Sequence, residues 1–216
     1  MRHLMGDGTL WDYVQLEIVS CGLEEGDVTI NEVMWGGSGD NGIGHERDEW
    51  IELKNNTDEE VDLSGWIIER AGPGSNDIEL EGTISANGYY LLSVYETDFN
   101  DGTNKAAIAN SIDENLQTND IHLKNNAAGN ISEQLILKDT VGNEIDKTPD
   151  SDGWAAGEQS PGNSGKGEWK SMERKDNTED DGDNEDSWED GEDNTDSYWD
   201  EDGGENYGTP GGENDA

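Results

Sequence analysis

Residues 176–216 hold eighteen carboxylates and no Lys or Arg, and this limits what the chain can fold into more than any other feature. All twelve basic residues precede that run, so it carries -18 of the formal net charge of -41. An ionised carboxylate taken out of water without a partner is costly, so a run this dense cannot build a core. It stays solvated, or it holds hard cations, which take oxygen ligands. It is also hostile to nucleic acid, because phosphate contacts need Lys and Arg. The core has to come from elsewhere. Apolar residues make up only 30 % of the chain, and nearly all of them fall between Leu10 and Trp154.

That region reads as short strands. Residues 28–33 are a β-branched run with partial alternation. Segments 50–53, 61–64, 65–68, 78–81, 121–124 and 135–138 follow, and 89–95 is a continuous apolar strand. Gly and Asn turns separate them, as at Asn55-Asn56, Asn87-Gly88 and Gly142-Asn143. No segment shows the 3.6-residue apolar stripe of a helix; residues 110–116 have room for one helical turn. Short strands with such turns predict an antiparallel sandwich or barrel. Trp50, Leu53, Leu63, Trp66, Leu91 and Leu137 are the expected core, with Trp50 and Leu53 on opposite strand faces.

Other segments exclude more than they assign. A single cysteine, Cys21, rules out an intrachain disulfide framework and does not suit a Cys-based zinc site. No stretch approaches the ~20 apolar residues of a membrane helix. Ile18-Val19-Ser20-Cys21 has the form of a lipoprotein cleavage box, but Asp7, Asp12, Gln15 and Glu17 interrupt the apolar segment such a signal needs. Lipidation at Cys21 therefore stands beside a short strand at 13–19 or a truncated start. His3, His45 and His122 are far apart; His45 lies beside Glu46 and Asp48, a set that suits either a metal or a polar loop. Glu49 and Glu52 point to opposite faces of their strand, which disfavours a catalytic pair. Trp35, Trp50, Trp66, Trp154 and Trp169 suit a sugar platform or, in a chain short of large apolar residues, the core.

Several motifs along the strands occur in a familiar order. They are Ile30-Asn31-Glu32-Val33-Met34-Trp35, then Asp48-Glu49-Trp50-Ile51-Glu52-Leu53-Lys54-Asn55, then Val61-Asp62-Leu63-Ser64-Gly65-Trp66. Next come Ile84-Ser85-Ala86-Asn87-Gly88-Tyr89-Tyr90-Leu91-Leu92 and Leu135-Ile136-Leu137-Lys138-Asp139. Ser171-Met172-Glu173-Arg174 and Gly208-Thr209-Pro210-Gly211-Gly212-Glu213-Asn214 close the series. In order and spacing this resembles the lamin tail domain family in its prokaryotic form. The resemblance implies an immunoglobulin-like β-sandwich over 28–214, after an undefined lead-in at 1–27. It implies no catalytic site, and it implies secreted or surface proteins, sometimes beside enzymatic domains. The family's filament role in animal nuclei does not carry over, since the chain has no heptad rod ahead of the domain.

The resemblance turns the acidic run into an enlarged loop, 176–206, tethered at both ends. The family's loop carries a Trp, for which Trp188 and Trp199 are both candidates. The run is crudely repetitive, with units that begin Asp-Asn and end Asp-Gly. Asn177, Glu179, Asp181 and Gly182 have the spacing of an EF-hand start, but Trp188 occupies the twelfth position and no helix flanks it. The expectation is a solvated acidic loop, or weak calcium binding through Asp181, Asp183, Asp186, Asp190, Asp193, Asp196, Asp200 and Asp202. The function this supports is a non-catalytic secreted or cell-surface binding module with an unknown protein or surface partner. Its alternatives are an accessory domain of an extracellular nuclease or hydrolase and a structural component of the cell envelope.

Overall fold

The computed structural model describes residues 22–40, 43–45, 49–70, 77–93, 115–117, 121–124, 134–160, 167–175, 181–194 and 206–215. Seventeen strands run through these residues. The first nine are β1 (Val28–Met34), β2 (Ser38–Asp40), β3 (Ile43–His45), β4 (Trp50–Asn55), β5 (Val61–Asp62), β6 (Ile67–Glu69), β7 (Ile78–Glu79), β8 (Thr83–Ile84) and β9 (Tyr89–Ser93). The others are β10 (Asn115–Gln117), β11 (Ile136–Lys138), β12 (Glu144–Lys147), β13 (Glu158–Ser160), β14 (Glu168–Lys170), β15 (Met172–Arg174), β16 (Trp188–Asp190) and β17 (Asn206–Tyr207).

Two sheets make the sandwich. One has six strands in the order β10-β9-β4-β1-β15-β16, the other four in the order β12-β11-β6-β7. Pairing is antiparallel except between β9 and β10 and between β14 and β17. One apolar cluster joins the sheets: Ile30, Val33, Ile51, Leu53 and Leu92 from the larger, Ile68, Ile78, Leu137 and Ile145 from the smaller. All six residues expected in the core are buried. Leu53, Leu63, Trp66 and Leu137 lie in the cluster between the sheets. Trp50 and Leu91 are buried outside it, on the other face of the larger sheet, as strand alternation expects. Among the described residues no helix is long and apolar enough to cross a membrane.

A β-bulge in β1 decides which residues reach which face. Ile30 pairs with Leu53, but Glu32 pairs with Glu52, so Asn31 is an extra residue between two ladder positions. Simple alternation from Ile30 would send Glu32 inward and Val33 outward. The bulge reverses this: Val33 and Trp35 return to the inner cluster, and Asn31 and Glu32 both face away from it. The Ile30 N–H bonds to the Asp146 carboxylate of β12 at 2.7 Å, which pins the two sheets together.

Three expectations differ from what is seen. Residues 115–117 form a strand parallel to β9 where a helical turn was expected over 110–116; the other residues of that span lie outside the described residues. A neighbouring ladder supplies bonds in register, which a single isolated helical turn cannot match. Residues 121–124 alternate between buried and exposed, with His122 exposed, yet belong to no ladder among the described residues. Their anchor is the buried Glu49, whose Oε2 accepts the Leu123 N–H at 2.9 Å.

The third concerns the acidic run, of which 181–194 are described. This part is more than a solvated loop. Asn184 caps a 3-10 turn at Glu185–Ser187, its side chain accepting from the Asp186 N–H. β16 follows and pairs antiparallel with β15, with Trp188 opposite Arg174. Trp188 is only 4 % exposed and joins the inner cluster. One indole buried and a sheet edge paired offset the charge, while Asp181, Asp183, Glu185, Asp186 and Asp190 remain exposed to water. Trp188 thus packs in the core; Trp199, Cys21 and the rest of the lead-in to residue 21 lie outside the described residues.

Candidate functional site

Sheet register brings three glutamates from distant motifs into one row. Glu32 on β1 pairs directly with Glu52 on β4 on one side and with Glu173 on β15 on the other. All three are 0 % exposed. The half-buried Glu189 of β16 extends the row opposite Glu173. Like charges directly opposite one another destabilise a sheet, and buried carboxylates need partners.

Those partners come from the closing segment, 208–215. The Thr209 N–H donates to Glu32 Oε1 at 2.9 Å, and the Gly211 N–H donates to Glu52 Oε2. The Asp215 N–H donates to Glu173 Oε2 at 3.1 Å. The bulge residue Asn31 donates through Nδ2 to Glu52 Oε1 at 2.8 Å and to Asn214 Oδ1 at 2.9 Å. Asn214 Nδ2 in turn donates to the carbonyls of Asn31, at 3.1 Å, and Arg174, at 2.6 Å. The bulge, the glutamate row and the closing segment therefore form one connected unit.

Burial pushes the Glu32 carboxyl up to about 8, with the neighbouring Glu52 adding to the shift. Burial likewise pushes Glu52 up to about 8, against the Gly211 and Asn31 bonds, which favour its ionised form. Glu173 rises to about 10, first by burial and then by the charges of Glu32 and Asp215. Burial and mutual repulsion favour the protonated forms in this row. The row offers little to a substrate, because its oxygens already face the chain's own donors.

Gly208 permits the close approach. Its φ is +149°, and a Cβ there would fall on Glu32 Oε1 and within 2.5 Å of Ser171 Oγ. Gly208→Ala is therefore expected to cost about 1–3 kcal/mol, as overpacking of a filled site. Urea denaturation measures this; an unchanged midpoint would show that the segment does not press on the row.

A second unit lies on the inner face. Arg174 Nη1 bonds to Asp146 Oδ2 at 2.7 Å, and the guanidinium stands 5.9 Å from the Trp188 ring. Trp188 Nε1 donates to the Gly182 carbonyl at 2.9 Å. A Cβ at Gly182 would meet the Lys147 carbonyl and, at 2.9 Å, Asp146 Oδ1. The start of the acidic run is thus laid directly over a buried ion pair.

The residues singled out for calcium are placed as follows. Asp181 Oδ1 accepts from the Asp183 N–H at 3.3 Å, and Asp183 Oδ2 pairs with Lys147 at 3.2 Å. The Asp186 carbonyl accepts from Lys175, Asp190 Oδ1 accepts from the Gly157 N–H at 2.7 Å, and the Asp193 carbonyl accepts from the Gly208 N–H. Asp196, Asp200 and Asp202 lie outside the described residues. Among the described residues no three His, Cys, Asp or Glu side chains come together in a way that could hold a metal ion. His45 sits in β3, while Glu46 and Asp48 lie outside the described residues.

Glu49 and Glu52 are separated as the strand alternation requires, one bonded to Leu123 and the other to Gly211. Trp35, Trp50, Trp66 and Trp169 are buried and Trp154 is half-buried, stacked on Trp35 with the ring planes 3° apart. The five indoles therefore pack the interior and do not present a sugar platform.

The glutamate row was missed by sequence reasoning. The signal available was a Glu next to an apolar residue in each of three strand motifs, Asn31-Glu32-Val33, Ile51-Glu52-Leu53 and Met172-Glu173-Arg174. Only the register reveals that they meet.

Among curated proteins no match is found. A model of the family described as Lamin Tail Domain matches residues 24–150. The match spans β1 to β12, all of the four-stranded sheet and the first four strands of the six-stranded one. It covers more than half of the chain, which carries the family's immunoglobulin-like all-β fold, so the protein belongs to the lamin tail domain family.

Proposed function

We propose that the chain is a non-catalytic interaction module, secreted or displayed on a cell surface, that presents an ordered acidic face to a cationic partner and binds calcium weakly along the acidic run 176–206 as a whole. One observation carries this reading. The run at 181–194 is fastened to the sheet by β16 and by the buried Trp188, while its carboxylates stay in water. A face held this way meets a cationic partner without first being ordered, and so without that entropic cost. The converging carboxylates elsewhere are buried and occupied by the chain's own N–H groups, which favours a binding role over catalysis.

The test compares the melting midpoint in millimolar Ca²⁺, in millimolar Mg²⁺ and in NaCl of matched ionic strength. A ligand that binds only the folded state adds RT ln(1 + [L]/Kd). With a Kd of roughly 0.1–1 mM, as in extracellular modules, Ca²⁺ is expected to raise the midpoint more than NaCl does. Equal effects from all three would reduce the acidic face to charge screening and remove calcium from the proposal.

A further inference from the structure

We propose that residues 208–215 form a proton-operated strap, closed over the Glu52–Glu32–Glu173 row while the row is neutral and lifted from it when the row ionises.

The geometry of one hydroxyl carries the first step. Thr209 Oγ1 lies 3.3 Å from Glu32 Oε2, 3.4 Å from Glu173 Oε1 and 3.3 Å from Asn214 Oδ1. A hydroxyl has one hydrogen and can satisfy one of these three oxygens. Asn214 is oriented by its Nδ2 bonds to two carbonyls, so its Oδ1 stays an acceptor. With Asn214 Oδ1 already accepting from Asn31 Nδ2, a proton on Glu32 or Glu173 lets one carboxyl donate to the hydroxyl while the other accepts from it. Ionising both leaves two carboxylates facing one hydroxyl.

The surroundings compensate only in part: a hydrogen bond from Ser171 favours the ionised form of Glu32, against burial and the charge of Glu52. Lys54 on β4 pulls Glu52 down, but its ammonium stands 5.9 Å from the Tyr89 ring. On β15, Arg174 is turned to the inner face and paired with Asp146. On β16, Glu189 stands opposite Glu173, and β9 offers Leu91 opposite Glu52. The strap itself brings the Asp215 carboxylate, which pushes Glu173 further up, and the exposed Glu213. The strap also has a natural hinge. β17 is paired in register with β14, and the Ser171 N–H donates to the Tyr207 carbonyl, so the chain is held up to Tyr207. Gly208 follows at once, with a φ of +149°.

The sign follows from proton counting. With the strap open, the carboxyls face water and titrate near 4.5; closed, they titrate at about 8 to 10. Between those limits the closed form holds more protons. Closure is therefore at full strength in acid and weakens as pH rises, until it is lost when pH passes the closed-form values. Each such proton shifts the opening equilibrium tenfold per pH unit.

Amide hydrogen exchange at Thr209, Gly211 and Asp215 tests this, read against an unstructured peptide of the same sequence. The β4 amides serve as the internal control. From pH 6 to pH 8 the strap amides are expected to lose at least about a hundredfold in protection, one proton's worth over two units, while β4 keeps its own. In the variant carrying Glu32→Gln, Glu52→Gln and Glu173→Gln no side chain of the row ionises, and the amide NH₂ groups at 32 and 173 can donate to Thr209 Oγ1, so strap protection is expected to stay flat. Flat protection in the wild type, or loss in step with β4, overturns the proposal whether or not the variant folds. A folded variant that tracks the wild type overturns it as well.

Discussion

Trp188→Ala is expected to lower the unfolding free energy by about 3–5 kcal/mol, the usual cost of emptying a buried aromatic site. For a domain of this size that is a drop of roughly 6–20 °C in melting midpoint. The indole is 4 % exposed, belongs to the cluster between the sheets, and donates to the Gly182 carbonyl. Its loss also removes the ring beside the Arg174 guanidinium. Thermal melting and urea denaturation at fixed salt measure the change. A variant that melts with the wild type would mean that the acidic run is a tethered loop and that β16 adds nothing to the sheet.

Arg174→Leu is expected to cost a similar amount, about 3–5 kcal/mol, because removing one partner leaves a buried charge uncompensated. Asp146 is 5 % exposed, and its Oδ2 takes both Arg174 Nη1 and the Ile30 N–H at 2.7 Å. Burial already raises the Asp146 carboxyl and Arg174 opposes that rise. Without Arg174 the carboxyl is driven higher still, and the folded state keeps its proton to higher pH than the unfolded chain does. The loss should therefore be small in acid, below the unfolded carboxylate range, and grow as pH rises. Adding Asp146→Asn to the same chain should restore much of the stability, since a neutral amide can still accept the Ile30 N–H. A loss independent of pH, or no recovery in the double variant, would show that the pair is not what holds β12 against β1 and β15.

The strands were largely legible from residue pattern. β4, β6, β7, β9 and β11 lie where alternating or continuous apolar runs stand between Gly and Asn turns. Strand alternation also set Leu53 and Trp50 on opposite faces, since side chains alternate with period two; the structure puts Leu53 in the inner cluster and Trp50 outside it. Two short segments were not legible. Asn115-Leu116-Gln117 is a strand because β9 presents a ladder to it, and 121–124 joins no ladder among the described residues, while Glu49 Oε2 and Trp154 Nε1 bond to its backbone. Neither outcome is a property of the segment itself.

The chain's own sequence determined the class of fold, the family motifs and the placing of Trp50 and Leu53 on opposite faces of one strand, because these follow from local periodicity. Tertiary structure alone decided the rest. A single extra residue at Asn31 turns Glu32 away from the inner cluster, and pairing across β4, β1 and β15 sets it between Glu52 and Glu173. Those three residues are twenty and more than one hundred and twenty positions apart in the chain. No window of sequence contains a register, so no local pattern shows that three surface-like glutamates share one buried row. The same holds for the acidic run. Its charge argues for solvation, yet Trp188 and the open edge of β15 draw its described part into the sheet, since burying one indole and pairing one strand leaves the carboxylates in water.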